Sequence, residues 1–240
     1  MEKYYIGIVF AWLGITTCLG QQTGIEEGLL LLEKSKKIHD RDGTWPSQKL
    51  EFRVQEPRVQ NPERFSEVLI NRSNQSFALK RRIDSKEIEI HVSNDQVWFK
   101  IDGNEIKDET LLGKYRLSEP RAKGYQRFYQ TIYGIPMSID TTFYKKIEHV
   151  KKVKFQGADA FLIMFSLREE MIGKQWGLIL SNTDFRVLGL EIYHPGSEND
   201  ERETIWFDGY FEKNGILIAR FKHWFLNGDK EYLGSDIIIN

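Results

Sequence analysis

The string His39-Asp40-Arg41-Asp42-Gly43-Thr44 is where residue types and spacing come nearest to chemistry. Asp40 and Asp42 followed by Gly-Thr spell the D-x-D-G-T of haloacid-dehalogenase-type phosphatases. There the first carboxylate attacks phosphorus and the second is the general acid. That chemistry needs a buried apolar strand ahead of the first Asp, so that the nucleophile projects from a strand end. Here Glu33-Lys34-Ser35-Lys36-Lys37-Ile38 precedes it, a charged helix tail. The same residues begin like a calcium loop but lack its third oxygen ligand and its sixth-position glycine. A helix end followed by a turn accounts for the string without catalysis. A hydrolase centred on His39, Asp40 and Asp42 therefore ranks behind the binding readings below.

The five histidines form no i, i+4 pair and no H-E-x-x-H string, and neither G-x-S-x-G nor a P-loop is present. His223 sits among Leu217, Ala219, Phe221 and Phe225 at period-two spacing, a polar group on an otherwise apolar strand face. Cys18 is the single cysteine. With a leader removed after Gly20 the mature chain has none, which excludes thiol catalysis, disulfides and thiolate metal sites. No catalytic residue, metal site or cofactor is predicted. The 240 residues carry a formal net charge of −1, too little basic excess for an electrostatic nucleic-acid binder.

The elements that must position these residues begin with the apolar run Tyr4–Ile15. It is too short for a membrane span but suits the core of a signal peptide over residues 1–20, which predicts export to a periplasm. The alternative is a lipid anchor on Cys18, although Thr17 stands where Gly, Ala or Ser normally precedes a lipidated cysteine. Residues 21–240 read as one domain with no membrane span. Thr23-Gly24-Ile25-Glu26 reads as a capping box that starts a helix ending near His39. From about Gln48 the period changes to two. Ile88, Ile90 and Val92 turn through Ser93-Asn94-Asp95 into Val97, Phe99 and Ile101, followed by an Asp102-Gly103 turn. Further strands are predicted over 160–167, 175–180, 186–193, 204–212 and 216–225. Adjacent hairpins make the sheet antiparallel and meandering. A second helix, with Ser118 as its cap and Pro120 in its first turn, presents Ala122, Tyr125, Phe128, Tyr129 and Ile132 as an aromatic stripe and ends at Gly134 and Pro136. Gly124 inside it costs about 1 kcal/mol relative to alanine, so the helix needs tertiary support.

The turn His39-Asp40-x-x-Gly43-x-Trp45, together with Tyr133-Gly134-Ile135-Pro136-Met137, Gly209-Tyr210, Asn214-Gly215-Ile216 and Tyr232-Leu233-Gly234-x-Asp236, resembles an uncharacterised family of exported proteins of the Bacteroidetes type. The resemblance implies the fold of the lipoprotein carriers and receptors LolA and LolB. That fold is mainly β with α: an antiparallel curved sheet, an incomplete β-barrel, wrapped around an N-terminal helix and an aromatic internal helix, with a cavity for acyl chains.

The leading expectation is a non-enzymatic periplasmic or envelope protein that holds a lipid or another hydrophobic small molecule between sheet and helices. Tyr125, Phe128, Tyr129 and Ile132 on the helix, and Trp176, Leu178, Leu180, Phe221 and His223 on strands, are its candidate ligand-binding residues. The alternative is an envelope protein-interaction module with a packed core, motivated by Trp98 on the polar face of its strand.

Overall fold

Alternation with a period of two governs most of the chain beyond Lys49, and in the structure it becomes one sheet. The computed structural model describes residues 9–194, 196, 202–228 and 230–239, with side chains from residue 24 onward. Six strands come first: β1 (Lys49–Glu56), β2 (Arg64–Asn71), β3 (Ser76–Ile83), β4 (Lys86–Ser93), β5 (Gln96–Ile101) and β6 (Asn104–Glu105). Seven more complete the sheet: β7 (Tyr144–Phe155), β8 (Ala158–Met171), β9 (Gly173–Ser181), β10 (Val187–Tyr193), β11 (Arg202–Asp208), β14 (Phe221–Leu226) and β15 (Glu231–Ile238). The 13 strands run in the order β6-β5-β4-β3-β2-β1-β15-β14-β11-β10-β9-β8-β7, each antiparallel to its neighbours. The last strand lies beside the first, so the free edges, β6 and β7, are consecutive in the chain. The segment between them carries α2 (Glu109–Lys114) and α3 (Glu119–Ile132). An open curved sheet with a helix laid on its inner face is the result.

Turn chemistry sets the register. Asp84-Ser85, Asn94-Asp95, Asp102-Gly103, Gln156-Gly157 and Asn214-Gly215 are two-residue hairpin turns with both residues at positive φ, the geometry that matches the twist of paired strands. The pairing then stacks apolar residues in rows across the inner face. Leu50, Ile70, Phe77 and Val92 form one row, and Phe52, Val68, Leu79, Ile90 and Phe99 the next. Tyr129 of α3 stacks on Phe77 at 5.8 Å, and Tyr133 meets Phe52 at 5.6 Å. Ser118 occupies the N-cap position of α3 but its side chain makes no capping hydrogen bond. Lys145, Lys146, Lys151, Lys152 and Lys154 lie on the edge strand β7, where charge discourages pairing with another chain.

Three expectations change. Helix α1 runs from Val9 to His39, so Thr23 is inside it and no helix begins there; the apolar run upstream contains no breaker. The hairpin after β11 is bent at Gly209-Tyr210 opposite Ala219-Arg220. Its tip separates as the ribbon β12 (Phe211–Lys213) and β13 (Ile216–Ile218) while keeping the register of β11 and β14. The face expected to hold Leu217, Ala219, Phe221, His223 and Phe225 together does not form as predicted: Ile216, Ile218, Ala219 and Lys222 are buried, whereas Leu217, Phe221, His223 and Phe225 are only half-buried. Apolar residues occupy both parities of this strand, so alternation alone does not choose a face. Of the expected leader, residues 1–8 lie outside the described residues, and the side chain of Cys18 is likewise outside them. Among the described residues no helix is long and apolar enough to cross a membrane.

Candidate functional site

The inner-face rows change character at one end of the sheet. Along β1, Leu50, Phe52 and Val54 give way to Glu56; along β3, Phe77 and Leu79 give way to Arg81; and on β2 the position paired with Arg81 is Ser66. All three are buried, and a buried charge must be paired to be tolerated. Glu56 takes two 2.8 Å hydrogen bonds from the Arg64 guanidinium and one from the Ser66 hydroxyl, with Arg81 at 3.5 Å and Arg58 at 3.8 Å. Burial pushes the Glu56 carboxyl up, but Arg64, Arg81 and Ser66 outweigh it and hold it below the ordinary range. Arg81 also donates to Ser66 at 2.8 Å and to the Tyr129 hydroxyl at 2.6 Å. From β15, Asp236 accepts from Arg58 and, at 3.2 Å, from the Trp224 indole. Its cross-strand neighbour Lys222 is fully buried against the Tyr133 ring at 3.9 Å. Burial lowers this ammonium to about 7 against the pull of Asp236.

Helix α3 lays its stripe over this charged end. Phe128 stacks on Trp224 at 6.0 Å and meets Tyr129 edge-on at 5.3 Å. Between helix and sheet lies a cleft of about 510 Å³. Its lining combines the apolar side chains of Tyr125, Phe128, Met171, Ile172 and Trp224 with Arg58, Arg64, Arg81, Arg121, Glu56 and Asp236, the Arg81 and Arg121 guanidinium groups lying over the Tyr125 ring at 5.0 and 5.7 Å. Gly124 borders the opening, and a Cβ there would touch nothing within 4 Å. Both cleft carboxylates have arginine partners, so the arrangement suits binding and offers no uncommitted base. A smaller opening of about 350 Å³ beside the other end of α3 is lined by Arg72, Gln130, Asp140 and Arg168.

Of the residues singled out by sequence, Tyr125, Phe128 and Tyr129 line the cleft. Ile132, Trp176, Leu178 and Leu180 are buried in the packed core instead; the Trp176 indole donates to the Met171 carbonyl at 3.2 Å. Such fully apolar positions read identically as core or cavity wall. Phe221 and His223 are stacked on each other at 5.8 Å, with His223 bonded to Ser235 at 2.6 Å, outside the cleft lining. Trp98 is half-buried and lies flat on His91 at 5.1 Å. Reading the sequence missed Glu56, Arg58, Arg64, Arg81, Met171, Trp224 and Asp236. The available signal was a polar residue falling in step with the buried parity of β1 and β3.

The turn after α1 is a structural knot. His39 is buried, with Nδ1 2.9 Å from the Leu217 carbonyl oxygen, to which it donates, and Nε2 accepting the Val187 amide at 3.2 Å. Burial lowers its pKa to about 4. Asp40 accepts the Thr44 amide at 2.8 Å, the Thr44 hydroxyl at 3.2 Å and the Trp45 amide at 2.8 Å. Gly43 takes φ of 65°, the left-handed conformation that lets the chain reverse. Trp45 then packs on Gly134, where a Cβ would fall 2.2 Å from the indole. Asp42 is exposed. His39 and Asp40 therefore serve the joint between α1, β10, β13 and the end of α3.

The sequence matches no protein-family model and no curated protein. Solved structures are similar. A LolA superfamily protein of Nitrosomonas europaea aligns with a TM-score of 0.53 at 10% identity, covering 90% of this chain and 92% of that one. A domain named for outer membrane lipoprotein sorting from Vibrio parahaemolyticus aligns with a TM-score of 0.53 at 12% identity, covering 92% of both chains. A DUF1329 family protein of Desulfovibrio piger gives 0.50 at 11% identity over 90% of each chain. At these identities the likeness establishes the fold: this is a LolA-like open antiparallel sheet with its helices.

Proposed function

We propose that the protein is a non-enzymatic carrier or receptor that binds a lipid or another hydrophobic molecule in the cleft between α3 and the sheet. The observation that carries this reading is the cleft itself, about 510 Å³ between α3 and a LolA-like sheet, with Phe128, Met171, Ile172 and Trp224 in its lining. A concave, partly apolar site with a few convergent polar groups is the usual form of a small-molecule site. The apolar run at the N-terminus supports export, and with it a place in the periplasm or envelope as one domain after residue 20. The neighbour named for lipoprotein sorting supports the same compartment.

The test is binding of the neutral probe N-phenylnaphthylamine to the full-length protein, read by its fluorescence and by the part of the tryptophan quenching that is lost in Trp224→Phe. One probe per chain is expected, and Phe128→Glu weakens binding about tenfold or more by putting a charge among the apolar side chains of the lining. Uptake by the variant equal to that of the wild type, in a protein with an unchanged circular dichroism melt, overturns the assignment of the cleft.

A further inference from the structure

Arg64, Arg81, Arg121 and Tyr125 line the cleft on one side and a second cavity on the other. The second cavity, about 250 Å³, has an apolar floor that includes Leu79, Ile88 and Ile90 and a rim that includes Lys114, Arg116 and Arg121. Asp84 is the single carboxylate of its lining. The two cavities differ in how their cations are used. In the cleft, Arg58 and Arg64 hold carboxylates at salt-bridge distance. Lys114, Arg116 and Arg121 are exposed and make no ion pair among the described residues; Arg121 reaches the Tyr125 hydroxyl at 3.4 Å and lies over its ring at 5.7 Å, and Lys114 lies over Tyr115 at 5.1 Å. Burial pushes the Tyr125 phenol up, but Arg121 and Arg81 outweigh it and bring it below its usual value, the mark of a positive potential at the boundary between the cavities.

Resting on the reading of the cleft as a site for an apolar chain, we infer that the ligand is an anionic amphiphile whose hydrocarbon lies against Phe128, Met171 and Trp224 and whose phosphate or carboxylate head passes Tyr125 to Lys114, Arg116 and Arg121. Cations without protein carboxylates are available for charge-assisted hydrogen bonds, and the arginine fork matches the oxygen spacing of both head groups. An apolar floor beneath the rim dries one side of the contact and strengthens it. A neutral head would accept only weaker hydrogen bonds from the rim, without a second charge to pair with its cations. A free inorganic anion would use the rim and ignore the adjoining 510 Å³ cleft.

Isothermal titration of the full-length protein with oleoyl lysophosphatidate, monooleoylglycerol and inorganic phosphate separates these cases, the lipids being kept below their micelle concentrations. Lysophosphatidate is expected to bind about tenfold or more tightly than the glycerol ester of the same chain. Arg116→Gln combined with Arg121→Gln, two exposed positions, should bring the two lipids within about twofold of each other. Equal affinities for the two lipids in the wild type overturn the anionic head while leaving the cleft intact. Binding of neither lipid overturns the cleft reading and this inference together. Phosphate alone binding as tightly as lysophosphatidate also overturns the inference, because the chain would then contribute nothing.

Discussion

His39 is the residue whose chemistry changed most between sequence and structure. As one of three catalytic partners, with Asp40 and Asp42, it would need access and an ordinary pKa; the fold gives it burial and two backbone partners, Leu217 and Val187. It folds as the neutral imidazole, with burial lowering its pKa from 6.5 to about 4. The linkage has a definite sign. Above pH 6.5 neither state binds the proton and the residue adds no pH dependence; below it the unfolded chain binds a proton that the folded chain refuses until about pH 4. Stability therefore falls as pH drops through that window, by about 1.4 kcal/mol per unit, or about 2 kcal/mol from this residue between pH 7 and pH 5. Urea denaturation at the two pH values, for the wild type and for His39→Gln, isolates the effect. The variant is less stable at pH 7 by about 1–3 kcal/mol for its imperfect replacement of two buried hydrogen bonds, and the gap narrows at pH 5. Parallel curves would show that the imidazole is not held neutral.

At the scale of elements, two segments far apart in sequence are built for each other. The turn that follows α1 delivers Trp45 to the end of α3, and Gly134 leaves the only space for it: a Cβ would lie 2.2 Å from the indole and 2.5 Å from the Gln130 carbonyl oxygen. The carbonyl belongs to the helix backbone and cannot swing away. Gly134→Ala should cost about 2–4 kcal/mol, and Trp45→Ala about 3–5 kcal/mol. Because the first clash is with the ring that the second removes, the double variant should lose at least about 1 kcal/mol less than the sum. Additive losses in denaturant titrations would mean that the turn and the helix end are not locked together. This joint also shows what could be read from sequence. The hairpins and the α3 stripe were legible because turn chemistry and period are local signals, as at Asn94-Asp95 and Tyr125–Ile132. Helix α2 was not, since six residues are too few to show a period, and its sign was Asp108, which caps the Leu111 amide at 2.9 Å. The charged groups of the cleft were hidden for another reason. Glu56 and Arg81 are of types that ordinarily face water, and only the pairing of β1, β2 and β3 shows them in step with the buried residues of their strands.

The whole molecule divides by how its interior is filled. Trp176, Leu178 and Leu180 of β9 are at 0% exposure, within the packed core. Helix α3 packs on β2–β4, with Tyr129 on Phe77, and the cleft opens beside that contact, towards Glu56, Trp224 and Asp236. Since α3 belongs to the one segment that joins the two free edges of the sheet, a molecule seated in the cleft would tie that segment to strands on which it otherwise rests through Tyr129 and Phe128. Binding to the folded state alone stabilises by RT ln(1 + [L]/Kd), about 2.7 kcal/mol at a hundredfold excess over Kd, which for a chain of this length raises Tm by about 5–10 °C. Hydrogen exchange with saturating N-phenylnaphthylamine should then slow in α3, in the ends of β1–β3 that carry Glu56, Ser66 and Arg81, and around Trp224. Exchange in α1 and β8–β9 should change no more than the global gain in stability requires. Protection centred on β8 and β9 would return the ligand to Trp176, Leu178 and Leu180 and require the core to open, and a protection pattern uniform over the molecule would leave the cleft without its distinguishing evidence and defeat the assignment.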